Sequence, residues 1–333
     1  MKRLMTALAI LALGLSAHAA PKKKSKKFAA NTAVQQAPGA ASDGESLLKL
    51  NDAEPAEART TKFNASVTSS YGTIVDDNNY VTGQRLNVAM LKPSLGITTA
   101  NTTAYRLSVP MSWVTDQAKR EFRMIGRPEL AAMYPLANST TSKMHLGPAV
   151  RLPLFDSSTG GAEVNRIWRV GAAFTADQAV GDGRYAVVGG IAAAYDSKYT
   201  APEQSSGTYR YEITYERAPF VQGSLGLAKN YDAGQRLGAS LNARYGIGKS
   251  KMKITPVGES SAYNEEWTWD MNPPEMTWIE LFGNTAISAN TFLTGSIQKS
   301  LKIETTTQNM FTAYDETISM SSLGISLGLS QTF

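Results

Sequence analysis

Apolar and polar residues alternate from Thr61 to the end of the chain. Phe63, Ala65, Val67 and Tyr71 share one phase, as do Leu86, Val88 and Met90, and then Tyr105, Leu107, Val109, Met111 and Trp113. A period of two places successive side chains on opposite faces of a strand, so each run predicts a strand with one apolar face. Leu130, Ala132, Tyr134 and Leu136 form a weaker run. Met144, Leu146, Val150 and Leu152 follow, then Trp168, Val170, Ala172 and Phe174, and then Tyr185, Val187, Ile191, Ala193 and Tyr195. Tyr211 to Leu227 predicts an eighth strand, Leu237 to Ile247 a ninth, Ile279 with Leu281 a tenth, and Leu293 with Ile297 an eleventh. In the last strand Leu323, Ile325, Leu327, Leu329 and Phe333 alternate with small or polar Gly324, Ser326, Gly328, Ser330 and Thr332.

An apolar face backed by small polar residues suits a wall between lipid and a polar lumen. A chain that closes such a strand on an aromatic, here Phe333, resembles the bacterial outer-membrane β-barrel proteins, whose assembly machinery reads the terminal strand. The resemblance is to the class and covers Thr61 to Phe333. It implies an all-β fold: a transmembrane antiparallel up-and-down β-barrel. Both ends of such a barrel normally lie in the periplasm, so the strand count is even. Counting the weak 128–136 run gives twelve, with ten and fourteen as the neighbouring solutions. Twelve also puts the short turns, near residues 99–101, 138–142, 178–183, 230–235 and 288–290, on one side. Trp113, Tyr134, Trp168, Tyr185, Tyr195, Tyr245, Trp278 and Phe333 then fall near strand ends, where aromatic girdles sit at the membrane interface.

The N-terminus agrees with that compartment. Lys2 and Arg3 precede an apolar run from Leu4 to Ala17, and Ala17-His18-Ala19 is a small-x-small cleavage site. Residues 1–19 read as a secretory signal peptide, too short to span a bilayer. Residues 20–59 read as a disordered periplasmic tail rich in Ala, Lys, Ser, Pro and Glu, with a short helix over Ser42–Leu50 capped by Ser42 and Glu45. Residues 60–333 form the barrel. The chain has no Cys, which excludes disulfides, thiolate metal sites and a lipid-anchored cysteine. Its formal charge of +5 is concentrated at the N-terminus. Seven of the 33 basic residues precede Phe28, leaving 26 against 28 acidic ones, so the remainder is near neutral and nucleic acid is not an expected partner.

Alternation assigns a lumen phase carrying Arg106, Lys143, His145, Arg151, Arg169, Arg244 and Gln298, with Glu129, Asp196, Asn242 and Glu280. Much of the rest of that phase is Gly, Ala or Ser, which leaves room for water. The expected function is a passive or weakly selective channel for small hydrophilic solutes, with Arg106, Arg151, Arg169 and Arg244 lowering the barrier to anions. The alternative is a closed surface barrel whose arginines pair with lumen carboxylates and which works through its outer loops in adhesion, recognition or envelope integrity. Lys249, Lys251 and Lys253 continue the outward phase of the ninth strand and are candidates to meet lipopolysaccharide phosphates. Trp267, Trp269 and Asp270, in a loop over Tyr263 to Trp278, are candidates for an outer ligand contact in which aromatics stack on a sugar ring. His145 is the single His after the signal peptide, and no Ser–His–acid pattern surrounds it, so neither an enzyme nor a cofactor is expected. Outer-membrane lipid, lipopolysaccharide, the barrel assembly machinery and small solutes are the expected partners.

Overall fold

A computed structural model describes residues 61–76, 85–115, 121–139, 141–153, 168–200, 204–206, 209–231, 235–257, 266–308 and 315–333. The expected signal peptide, tail and Ser42–Leu50 helix lie outside the described residues. Among the described residues the chain forms twelve antiparallel barrel strands, several of them broken once. These are β1 (Lys62–Asp76), β2 (Arg85–Thr98), β3 (Ala104–Ser108 and Met111–Thr115), β4 (Glu121–Ile125 and Glu129–Asn138), β5 (Ser142–Arg151) and β6 (Arg169–Val180). They continue as β7 (Tyr185–Asp196 and Tyr199–Thr200), β8 (Tyr209–Glu216 and Phe220–Tyr231), β9 (Gln235–Gly246 and Ser250–Pro256), β10 (Trp267–Met271 and Glu275–Ser288), β11 (Thr291–Gln308) and β12 (Asp315–Thr332). A short segment, Gln204–Ser206, pairs with the outer part of β8.

Each strand pairs with its sequence neighbours, and β12 returns to β1 from Asn64↔Thr332 to Asp76↔Met320. The seam ends where the Phe333 amide donates to the Phe63 carbonyl at 2.8 Å and the Phe63 amide donates back at 3.4 Å. The weak run is a true strand: β4 pairs Leu130 with Val150 of β5 and with Leu107 of β3. Short turns join strands at the end that carries Phe63 and Phe333. In the turn between β6 and β7, Gly181 and Gly183 hold φ of 62° and 83°, a left-handed conformation that costs a glycine little.

The burial pattern is that of a soluble protein turned inside out. Outward Leu225, Leu227 and Leu95 are 67%, 66% and 65% exposed, whereas inward Arg169, Glu280 and His145 are 1%, 0% and 0% exposed. Trp113, Tyr134, Trp168, Tyr185, Tyr195, Tyr245 and Phe333 are exposed as expected. Trp278 is not. It is buried, opposite Asn242, and packs with Met276 and Ile303 inside the barrel. Its neighbours Ile279 and Leu281 hold the outward phase, so strict alternation turns Trp278 inward and removes it from the girdle.

A belt of breaks interrupts the wall at residues 109–110, 126–128, 197–198, 217–219, 247–249 and 272–274. Pro110, Pro128, Pro219, Pro273 and Pro274 lie in it, and a proline cannot donate to a ladder. Their carbonyls still accept: the Gly126 amide donates to Pro110 at 2.7 Å, Leu152 to Pro128 at 2.8 Å, and Ile247 to Pro219 at 2.6 Å. Most strand segments between belt and short turns are 10–12 residues long, as in β5 through β9, which matches a membrane-crossing strand of about 9–11 residues. Beyond the belt β8, β9 and β10 continue as a sheet arm.

Leu225 lies mid-strand on the outward face. Replacing it with Arg is expected to destabilise the folded barrel by about 2–4 kcal/mol, while Leu225→Ala costs much less. Reversible urea unfolding in lipid vesicles reads the difference.

Candidate functional site: the lumen

The lumen is built in rows, because inward residues of adjacent strands lie directly opposite one another. One row crosses four strands as Glu129, Arg151, Arg169 and Asp196. Two arginines therefore stand side by side, an arrangement that repels unless each has a carboxylate. The flanking acids supply them. Arg169 grips Asp196 with two bonds, Nε to Oδ1 at 2.6 Å and Nη2 to Oδ2 at 2.7 Å. Arg151 donates from Nη2 to Glu129 Oε2 at 3.0 Å. Lys92 of β2 approaches Glu129 at 3.9 Å, and Arg217 in the belt approaches Asp196 at 3.9 Å.

The same row continues away from Glu129 through Ser108, Ser94, Ser66 and Ser330. The lumen is thus two-sided. The β4–β9 wall is charged; the β11, β12, β1 and β2 wall is lined with hydroxyls. On the hydroxyl side Ser296 and Ser326 share a hydrogen bond of 2.9 Å. Arg106 faces this side from β3, half-buried, and lines a cavity of about 50 Å³ with Asn64, Ser66, Ser94 and Ser330.

Arg244 sits over the lumen-facing ring of Phe220, its guanidinium carbon 3.8 Å from the centroid, and Arg169 approaches the same ring at 4.9 Å. An aromatic face attracts both cations and spaces them. Nearer the short-turn end Arg236 of β9 reaches Asp177 of β6 through bonds of 2.6 and 3.0 Å. Lys143 stands opposite Asp177 in register. Gln298 donates to Glu280 at 3.0 Å. His145 is fully buried between these levels, opposite Thr175, and among the described residues neither ring nitrogen has a hydrogen-bond partner. No Ser–His couple is assembled there.

Arg151, Arg169, Arg244, Glu280 and His145 are therefore where alternation places them. Lys92, Asp177, Arg236 and Phe220 belong to the same lining and were not among the sequence candidates. Their phase was readable: Arg236 sits between outward Gln235 and Leu237, and Asp177 is in step with buried Ala173 and Thr175. Among the described residues the buried charged side chains number seven basic and four acidic, a surplus of three positives.

The outer candidates are arranged differently from the sequence expectation. Residues 267–271 are strand rather than loop, paired with β9 by Trp267↔Ile254 and Trp269↔Met252. The rows extend to Ile213 and Tyr215 of β8, giving the arm one aromatic-aliphatic face. The two indoles meet edge-on at 6.1 Å. Asp270 points from the other face and pairs with Lys249 at 3.4 Å. Alternation thus separates the carboxylate from the stacking rings. Lys253 pairs with Glu266 at 2.6 Å, and Lys251 stands between Glu216 and Asp270. At the level of the belt, hydrogen bonds to Glu216 and to Glu304 with Glu275 hold the Lys198 and Lys302 ammonium groups above their usual pKa.

The COG4313 outer membrane channel from Pseudomonas putida F1 has a similar structure, with a TM-score of 0.59, 14% identity, and alignment over 84% of this chain and 99% of that one. The toluene transporter TodX from Pseudomonas putida aligns at 0.47 with 8% identity over 82% and 89%, and the beta domain of the Bordetella autotransporter BrkA at 0.43 with 7% identity over 82% and 100%. No family model and no curated protein matches the sequence. The fold is that of the Gram-negative outer-membrane β-barrel proteins.

Removing one partner of a buried pair leaves an uncompensated charge. Arg236→Met is expected to cost about 3 kcal/mol, at the low end of the usual range because Lys143 remains opposite Asp177. Arg236→Lys is expected to retain part of the loss. Urea midpoints of the two variants in vesicles check this.

Proposed function

We propose that this protein is an outer-membrane channel for small hydrophilic solutes, with a preference for anions. The observation that carries the reading is the two-sided polar lumen, in which a hydroxyl wall faces a charged wall holding three more positives than negatives. Hydroxyls hydrate a narrow path without fixing charge in it, while the surplus arginines and lysines lower the energy of an anion passing along it. The structural neighbour from Pseudomonas putida F1, an outer membrane channel, supports the same class of activity. The short-turn end and the tail before Thr61 then belong in the periplasm, Phe333 offers the terminal strand to the assembly machinery, and Lys249, Lys251 and Lys253 lie at the level of lipopolysaccharide.

A second reading, a closed surface barrel acting through its outer arm, is favoured by the bidentate pairs Arg169–Asp196 and Arg236–Asp177, which fill space as well as neutralise charge.

Single-channel recording of the refolded full chain in a planar bilayer under a salt gradient separates the two. Stable open steps with an anion-selective reversal potential are expected. A unit charge about 7 Å from a watery path changes an ion's energy by about 0.6 kcal/mol, with opposite sign for anion and cation, so Arg244→Ala should lower the anion-to-cation permeability ratio about sevenfold. Arg151→Ala should act in the same direction, because it also leaves Glu129 facing the path. Stable insertion without any open steps would sink the channel reading in favour of the closed barrel.

A further inference from the structure

Of the four lumen arginines that alternation predicts, Arg151 and Arg169 are bonded to acids and Arg244 sits over Phe220. Arg106 differs, and register explains why. Its cross-strand neighbours are Gly96 on β2 and Ala131 on β4, and beyond Gly96 stands Asn64 on β1. None of these is an acid. Glu129 lies in the field of Arg106, but its carboxylate is bonded to Arg151. Among the described residues the Arg106 side chain has no hydrogen bond or ion pair. Gly96 puts no side chain between Arg106 and Asn64, which leaves the cavity of about 50 Å³ on this side of the lumen. Among the described residues its lining holds no carboxylate and is rich in donors. The Thr332 hydroxyl donates to Asn64 Oδ1 at 2.9 Å, and Asn64 Nδ2 donates to Thr98 Oγ1 at 3.1 Å. The amide oxygen is thereby occupied, while the second amide N–H and the Thr98 proton stay available. Ser66 and Ser94 add hydroxyls to the lining. Ser108, opposite Ser94 in register, is buried, and among the described residues its hydroxyl has no hydrogen-bond partner.

We infer that Arg106, with the Asn64 amide and the hydroxyls of Ser66, Ser94 and Thr98, forms a binding subsite for a small monovalent oxyanion of the class of a short carboxylate. The inference deepens the channel reading and rests on it for the route by which the anion arrives. Three features select the ligand. A guanidinium presents parallel N–H groups whose spacing matches two oxygens of one anion, a match that a spherical halide does not make. One cation without an acid balances one negative charge, so a doubly charged anion is left half compensated. Hydroxyls donate to the oxygens without adding charge, and each turns to suit the guest. The subsite lies near the short-turn end, one residue along β1 from the seam of Phe63 and Phe333. The surplus positive charge of the opposite wall draws anions along the lumen, and Arg106 holds the one whose oxygens fit.

The test uses the refolded full chain, with sodium acetate and sodium chloride as probes. Heat-modifiable mobility in gels confirms that each variant is a folded barrel. In detergent, line broadening of carbon-labelled acetate reads binding without requiring conduction. In a planar bilayer, conductance against anion concentration reads the same site during passage. Acetate binding is expected to saturate, to be displaced by formate and to resist an equal concentration of chloride. Acetate conductance should level off over the same range, whereas chloride conductance keeps rising. Arg106→Lys keeps the charge but removes the fork, so it should weaken acetate binding about tenfold, and Ser94→Ala about threefold. Acetate binding that does not saturate, equal displacement by chloride, tighter binding of phosphate, or wild-type affinity in Arg106→Lys would each overturn the subsite. Anion-selective steps without acetate binding would remove the subsite and leave the channel. Saturable acetate binding in a barrel that shows no open steps would remove the channel and leave the subsite.

Discussion

Closure of the backbone hydrogen-bond ring is the constraint on which the rest of this structure depends. In hydrocarbon an unpaired amide or carbonyl costs several kcal/mol, so a sheet can cross a membrane only when its first and last strands meet. Here they meet along β1 and β12, from Asp76↔Met320 down to the reciprocal bonds of Phe63 and Phe333. Once the ring is closed, every inward residue is fixed against its neighbours to either side. The row Glu129–Arg151–Arg169–Asp196 exists because four strands separated in sequence by loops are locked in register. Slipping one strand by a single residue would turn its charges into lipid and its leucines into the lumen. Register and charge pairing therefore stabilise the same arrangement.

Prolines gather in this ring where it leaves the membrane, although Pro135 and Pro148 also stand within the crossing parts of β4 and β5. The belt at Pro110, Pro128, Pro219 and Pro273 marks the height at which carbonyls that lose a ladder donor can be met by local donors or by water. Below it most of the strands run 10–12 residues without a break. Above it the pairs Lys249–Asp270 and Lys253–Glu266 are solvent-exposed, and such pairs contribute little. The arm's order comes instead from its apolar rows, Tyr215–Met252–Trp269 and Ile213–Ile254–Trp267.

The strands, their even number and the lumen phase were legible in the sequence because each depends on a local period of two. Leu323 to Phe333 carries that period plainly, and the weaker Leu130–Leu136 run became necessary once parity was imposed. Partner identity was not legible. Arg169 and Asp196 are 27 residues apart and Asp177 and Arg236 are 59 apart, and only the barrel's register brings them together. Trp278 was placed in the girdle by its chemistry, although its phase with Glu280 already pointed inward. Asp270 was grouped with Trp267 and Trp269 by proximity in sequence, whereas a strand sends residue 270 to the face opposite residues 267 and 269 after its first step. In both cases alternation was the stronger signal and residue type the weaker one.

The paired lumen charges and the proposed conduction are compatible on physical grounds. A carboxylate held by a bidentate arginine is neutralised locally, which keeps it from trapping a passing cation. The buried arginines and lysines outnumber the buried carboxylates among the described residues, which leaves a net positive charge in the lining. Arg244 illustrates the division of labour. Its guanidinium sits over the Phe220 ring, and the aromatic face helps to set where that charge stands. In the channel proposed above, rigidity would come from the Glu129–Asp196 row and selectivity from the cations beyond it, so the two would arise from different members of one set of side chains.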